Sequence, residues 1–226
     1  MKYAGWIFIA LGCLFYSGCS AQGVIGVIIN PTRHEKKVPA EYALGKDKEQ
    51  KILVFVEQPA WLNINTNLRY HLTASVNMAL EKKVKIKSEN LVSYSKFLEF
   101  RTNEPNFSSL DQAAVGAALG VDKVLYIEVE NYSLSKPGGT DYYKGSLDTF
   151  AVLIDVSGGM KVWPESEKSK RIRVGFEAEE RKQQIAVNRL TAASAYCIAR
   201  YLYNCPVDEF KIADDFGRAG WKDWIK

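Results

Sequence analysis

The stretch VDKVLYIEVENYSL, residues 121–134, alternates through its middle, and a strand is its plain reading. Leu125, Ile127 and Val129 fall on one face and Tyr126, Glu128 and Glu130 on the other, the pattern of a half-exposed strand. The polar loop SKPGGTDYYKG follows, then DTFAVLIDV, in which Phe150, Val152, Ile154 and Val156 alternate again, so the two stretches form a long hairpin. SGG at 157–159 and KVWPES predict a turn and a brief strand. KRIRVGFEAE then places Ile172, Val174 and Phe176 on one face and Arg171 and Arg173 on the other, a third antiparallel partner.

Ahead of the hairpin, KILVFVE at 51–57 is an Ile- and Val-rich run between charged GKDKEQ and Pro59, which predicts a buried strand. From Asn65 or Thr66 to Lys82, the residues Leu68, Leu72, Val76, Ala79 and Leu80 recur at the spacing of one face of a capped amphipathic helix. In KKVKIKSENLVSYSKFLEFR, VKI reads as a strand and Leu91, Tyr94, Phe97 and Leu98 as a short helical face. SSLDQAAVGAALG, 108–120, is a short helix starting at Ser108 or Ser109 and stopping at Gly120, a favoured left-handed residue. Ile185, Leu190, Ala193, Cys197 and Tyr201 mark a long helix from about Glu180 to Asn204, stopped before Pro206. Phe210, Phe216, Trp221 and Trp224 mark a last one. The order predicts an α/β (or α+β) fold: a single three-layer-like domain over 51–226, with a mixed sheet containing an antiparallel hairpin and covered by helices. A chain of 226 residues, 47% hydrophobic and 25% charged, can fill one such core.

The amino-terminal side has a different character. MKYAGWIFIALGCLFYSGCS carries Lys2, an apolar run from Ala4 to Tyr16, and small Ser17 and Gly18 before Cys19. Residues 1–18 have the layout of a signal peptide, too short to span a bilayer as an ordinary helix. The small-small-cysteine ending resembles the bacterial lipobox, in which the cysteine is acylated and becomes the first mature residue. Tyr16 stands where that motif has Leu, Val or Ile, and ordinary secretory cleavage after Ala21 is the other reading. Buried methylenes contribute about 0.8 kcal/mol each, so several acyl chains anchor firmly where one does not. Residues 19–50 keep no helical period and predict a lipidated tether, with VIGVII at 24–29 a short strand or an apolar segment near the membrane. Removing residues 1–18 takes only Lys2 from a formal charge of +4, too small a bias to imply nucleic acid.

Cys197 and Cys205 are the cysteines left for the folded part. On one continuous helix their α-carbons would lie roughly 12 Å apart, out of disulfide range. A disulfide needs the helix to end between them, as Asn204 and Pro206 allow; a buried thiol and a looser one are the other reading. His34 lies in the tether, and His71 lies beside the apolar stripe of the first helix, as a helix-face residue rather than a base. No HExxH, paired CxxC or zinc spacing occurs, and the glycine-bearing pieces read as turns rather than phosphate loops, so no metal or cofactor is expected. Glu128 and Glu130 project from one strand face and, as paired carboxylates, would suit acid/base work. Arg171 and Arg173 alternate in the same way, so cross-strand ion pairs on a solvated face account for the same residues. Tyr132, Tyr142 and Tyr143 with Lys136 and Lys144 flank one loop, an aromatic and basic tip of the kind that grips a glycan or a protein partner.

KKVPAEYALGKDKEQKILVFVE with the helix after it, AALGVDKVLYIEVENYSL, and DTFAVLIDVSGGMKVWPE together resemble a group of uncharacterised bacterial lipoproteins of planctomycete-type genomes, over roughly residues 37–205. More distantly, the signal peptide, strand, helix and the run ending in LGVDKVLYIEV are similar to the periplasmic α/β domains of the TolB amino-terminal part, the curli-secretion lipoprotein CsgG and the penicillin-binding-protein activator LpoB. The resemblance implies an assembly or interaction module rather than an enzyme and carries over no catalytic or binding residue. The chain lacks the long membrane-inserting hairpins of a CsgG-like pore. The expectation is a non-enzymatic lipoprotein anchored in the bacterial cell envelope, outer membrane ahead of inner, facing the periplasm. Its partner would be an envelope protein or a peptidoglycan-associated component. The alternatives are a secreted cell-wall-acting enzyme using Glu128 and Glu130, or a non-lipidated soluble periplasmic protein.

Overall fold

Residues 37–50, expected as tether, are folded against the rest of the chain. β1 (Lys37–Val38) pairs antiparallel with Cys205–Pro206 near the other end of the chain. Trp163 Nε1 donates to Glu41 Oε2 at 2.9 Å, and Lys170 Nζ donates to Glu41 Oε1 at 2.8 Å. Leu44 is 1% exposed, and its N–H donates to the Leu202 carbonyl at 3.1 Å. The folded unit therefore begins at Lys37 rather than at residue 51. A polar, glycine-containing segment looks like a linker because its anchors, Glu41 and Leu44, have partners more than a hundred residues away. The computed structural model describes residues 36–62, 66–138, 141–180 and 182–212; Cys19, Tyr16, VIGVII, His34, Phe216, Trp221 and Trp224 lie outside them.

β2 (Ile52–Glu57) is the strand expected from KILVFVE. Ile52, Val54 and Val56 enter the main core, while Leu53 and Phe55 enter a second cluster on the opposite side. A strand clothed on both faces reads as an unbroken apolar run, as here. α1 (Leu68–Ala79) is capped by the Asn67 side chain, which accepts from Tyr70 N. It buries Leu68, Leu72 and Val76 completely, each contributing roughly 1.5–3 kcal/mol. The helix then widens into a π-turn, Leu80–Val84, and stops at Lys85, whose φ is +70°. That turn replaces the strand expected at VKI: Val84 and Ile86 both reach the core, but a left-handed residue between them breaks the extended backbone.

α2 (Tyr94–Asn103) is capped by Ser93 and buries Phe97, while Leu98 of its expected apolar face is 44% exposed. α3 (Gln112–Ala118) starts later than expected, with Asp111 rather than Ser108 or Ser109 as its cap, accepting from Ala114 N at 2.7 Å, because Ser108 and Ser109 close a separate 3-10 turn. Gly120 adopts φ +66° as the helix stop. β3 (Lys123–Ser135), β4 (Tyr142–Asp155), β5 (Met160–Trp163) and β6 (Lys170–Glu179) follow. β2 and β3 are parallel, and the remaining pairings are antiparallel. β5 and β6 share the far side of β4, β5 at its carboxyl end and β6 along the rest. α4 (Gln183–Ala199) packs with α1 over one sheet face; β7 (Cys205–Pro206) and α5 (Val207–Ile212) complete the described chain. The result is a mixed α/β domain with helices on both sides of a five-stranded sheet.

Lys123 opens β3 and Asp155 closes β4, and the two side chains form an ion pair across that ladder. Asp155 also accepts from Ser157 Oγ at 2.6 Å and from Gly158 N at 2.9 Å. The Lys123 hydrogen bond first, then these two, hold its carboxyl down at about 2. A carboxyl depressed by folding stabilises the fold fully above its unfolded pKa of about 4, and that contribution is lost as pH falls from there through about 2. The Asp155 side chain is 24% exposed, so screening limits the contribution to about 1 kcal/mol. Asp155→Asn should therefore be less stable than wild type near neutrality, and the two urea midpoints should converge by about pH 2. Midpoints that stay a constant distance apart down to that pH would show that the pair does not titrate as described.

Candidate functional site

Helices α2 and α3 cover only one end of their side of the sheet. Beneath them lie Leu53, Phe55 and Val124, which pack with Phe97 of α2 and Val115 of α3. Beyond them Tyr126, Glu128, Phe150, Val152 and Ile154 floor an open groove of about 650 Å3, walled by Asp111 and Gln112 at the start of α3 and by Lys161 and Lys168 opposite. The alternation of Phe150, Val152, Ile154 and Val156 thus belongs to the groove side, whereas Leu147, Thr149, Ala151 and Leu153 carry β4 into the main core. Both faces of β4 are apolar here, and alternation alone does not say which faces which helices.

Tyr126 sits in the floor, edge-on to Phe55 at a centroid separation of 5.3 Å. Burial first, then the Glu128 and Glu57 charges, push its hydroxyl up to about 12, so it is a neutral hydrogen-bonding group at ordinary pH. Glu57 and Glu128 occupy the same rung of the β2–β3 ladder. Glu57 Oε1 is met by Arg69 at 3.5 Å and by Arg101 at 3.7 Å, which leaves it a neutralised wall rather than a second free carboxylate.

Glu128 and Glu130 do not keep the regular strand alternation. The β3–β4 register slips between Val129 and Asn131, so Glu130 is the extra residue of a bulge, and the slip carries Tyr132 onto the core face. Glu130 Oε2 accepts from Arg171 Nη2 at 2.6 Å, across the intervening β4. Asp148 of β4 lies 3.9 Å from Arg171 and 3.6 Å from Arg173, so charges of alternating sign run along this solvated face. Glu128 remains in the groove without Glu130 beside it in the ladder.

The residues expected around an aromatic and basic loop also divide, and four of the five lie on strands, Tyr132 on β3 and Tyr142, Tyr143 and Lys144 on β4, so the loop is shorter than SKPGGTDYYKG. Tyr132 and Tyr143 are 9% and 7% exposed and belong to the main core. Tyr142 and Lys144 point to the opposite face, where the Tyr142 hydroxyl donates to Glu177 at 3.0 Å and Lys144 Nζ lies 2.8 Å from the same carboxylate. Lys136 donates to Asp141 at 2.9 Å. Strand parity separates residues that neighbour one another in sequence: Tyr142 and Tyr143 necessarily face opposite ways.

Cys197 and Cys205 are both buried, and no disulfide joins them. The helix does end between them, as pairing requires, but Cys205 lies in β7 beside Tyr203, to whose hydroxyl its thiol donates at 3.3 Å. Tyr196 and Tyr203 both donate to Glu209, which Lys83 also reaches at 3.3 Å, so a polar cluster fastens α5 to the core. Burial raises both phenols further out of the titrating range. His71 is half-buried on α1 beside Gln184, with its pKa lowered by burial, and has no part in the groove. Among the described residues no cluster of His, Cys, Asp or Glu is arranged to hold a metal. The groove residues that sequence reasoning missed are Asp111, Gln112, Lys161 and Lys168; only the two-sided apolar character of FAVLI hinted that β4 needs a covering on each face.

The domain is of a mixed α/β class, and bacterial lipoproteins occur among its structural neighbours. No protein-family model matches the chain, and no curated protein matches it significantly. A lipoprotein from Neisseria meningitidis is 19% identical, with 66% of this chain covering 98% of that one at a TM-score of 0.42. The LpoB C-terminal domain from Salmonella enterica is 16% identical, 61% of this chain covering 88% of it at 0.32. TolB from Acinetobacter baumannii is 15% identical, 69% of this chain covering 29% of it at 0.33.

Proposed function

We propose that this chain is a bacterial envelope lipoprotein, acylated at Cys19, whose α/β domain binds or assembles another envelope component and catalyses no reaction. The observation that carries the reading is LFYSGCS at 14–20: an apolar run behind Lys2, then two small residues and a cysteine. Among the described residues no helix is long and apolar enough to cross a membrane, so acyl chains are the anchor the reading calls for. The domain faces the periplasm, from the outer membrane ahead of the inner. Anchoring confines it to a surface and raises its effective concentration near a partner, an envelope protein or a peptidoglycan-associated component. Lys136, just past the end of β3, and Tyr142 and Lys144 at the start of β4 are the expected partner-binding residues that remain on the solvent side. Likeness to the planctomycete-type lipoproteins belongs to the same proposal.

The Arg171–Glu130 ion pair supports the non-enzymatic half, because it engages one of the two carboxylates that paired acid/base work needs free. Intact mass of the full-length protein purified from membranes tests the anchor. Wild type should begin at Cys19 with added acyl mass, and Cys19→Ser should lose that mass and leave the detergent phase. A wild type that starts elsewhere without acyl mass would overturn the anchored reading. If the wild type hydrolyses cell-wall material and a folded Glu128→Gln/Glu130→Gln double variant does not, the enzymatic alternative replaces the non-enzymatic half.

A further inference from the structure

The two edges of the sheet are treated differently. At the β2 edge the Leu91 segment forms a bridge to Ile52, and Val92 N donates to the Ile52 carbonyl at 3.0 Å. At the other edge β6 pairs with β4 from Lys170 opposite Ala151 to Glu179 opposite Tyr142, and among the described residues nothing pairs with its outer side. The strand contains no proline and its register shows no bulge, so its charged side chains are the one edge-blunting device along these ten residues, and a partner strand has to match them.

Its charges are arranged as a palindrome. Along the groove-side face run Arg171, Arg173, Gly175, Glu177 and Glu179, two cations, a glycine and two anions, all exposed. An antiparallel pair with an identical strand about a two-fold axis at Gly175 sets Arg171 of one copy opposite Glu179 of the other and Arg173 opposite Glu177, twice over. A two-fold at Val174 or at Phe176 keeps the faces matched but forms only one such opposition, twice over. Gly175 suits the axis, since even an added Cβ there meets nothing within 4 Å. The intrachain partners leave room for this: the Arg171, Arg173 and Glu177 side chains remain 43%, 63% and 47% exposed while contacting Glu130, Asp148 and Lys144.

We propose that β6 is a homodimer interface, in which two copies of this chain join β6 to β6 antiparallel about Gly175 and merge their sheets into one. Main-chain hydrogen bonds supply the attraction, as in strand addition generally, and the Arg–Glu oppositions select this register and a second copy over other strands. The inference does not depend on acylation at Cys19; if the chain is anchored, confinement to the membrane plane favours the pairing further.

The test uses the full-length protein in detergent. Gly175→Cys should give a covalent dimer on mild oxidation at least about tenfold faster than a cysteine placed on exposed Glu99, because paired residues in either kind of antiparallel site lie within disulfide range. Glu177→Arg should weaken dimerisation in sedimentation velocity by about tenfold or more, and Arg173→Glu combined with Glu177→Arg, which restores the palindrome with signs exchanged, should recover it. Equal oxidation rates at the two cysteine positions, or a double variant as weak as Glu177→Arg alone, would overturn the interface. Wild type that stays monomeric at tens of micromolar would do so as well.

Discussion

Trp163→Ala is expected to lower the free energy of unfolding by about 3–5 kcal/mol, read from urea midpoints at constant slope. Trp163 is 1% exposed and sits in β5, where it joins parts of the chain that have little else in common. Its ring lies 6.0 Å from that of Tyr201 behind α4, it shares a ladder rung with Leu153, and its Nε1 holds Glu41. Truncation removes a large buried surface and leaves a cavity that β5, four residues long and paired on one side, cannot close without losing its own register. Trp163→Phe separates the contributions: most of the packing stays and the hydrogen bond goes, for about 1–2 kcal/mol, with Glu41 still held by Lys170. Trp163→Ala should also speed limited proteolysis around Lys46 and Lys48, since the segment bearing Glu41 loses one of its anchors. A loss under about 1 kcal/mol would contradict the packing described.

Gly116→Leu should cost about 3 kcal/mol, and Gly116→Ala about 1 kcal/mol, in the same measurement. The sign for alanine is set by two opposed effects. Alanine in a helix is favoured over glycine by roughly 0.5–1 kcal/mol. Against this, a Cβ at Gly116 would stand 2.6 Å from Val124 Cγ2 and 2.6 Å from Val156 Cγ2, and β-branched side chains on strands have little freedom to turn away. Overpacking costs typically 1–3 kcal/mol, so the clash outweighs the propensity. Leucine would lift α3 from the sheet and move Asp111 and Gln112, one wall of the groove. A stabilised Gly116→Ala would show that α3 already rides clear of the strands.

The strands of this domain were legible where they are long and regular: 52–57, 121–134, 148–156 and 170–179 read as strands and fall within or largely within them, while β4 starts earlier, at Tyr142, in a segment expected as loop. The grouping of Arg171 and Arg173 with the β3 glutamates as a cross-strand charge set also survives, through Glu130, although the strands are second neighbours rather than adjacent. What failed were features decided by single residues or by distant ones. Lys85 in a left-handed conformation ended the strand expected at VKI, a bulge at Glu130 broke the alternation it shared with Glu128, and Glu41 turned a tether into part of the domain.

The sequence by itself determined the class of fold, the hairpin with its third strand, and the amino-terminal pattern ending at Cys19, because periodicity and short motifs are local properties of the chain. Only the tertiary structure decided which face of β4 meets the main core, that the tyrosines and lysines around the β3–β4 turn divide between core and solvent, and that Cys197 and Cys205 stay unjoined to each other. It also decided which sheet edge stays open. Each of these depends on what lies across a ladder or against a helix, and such neighbours are chosen by packing between segments far apart in sequence.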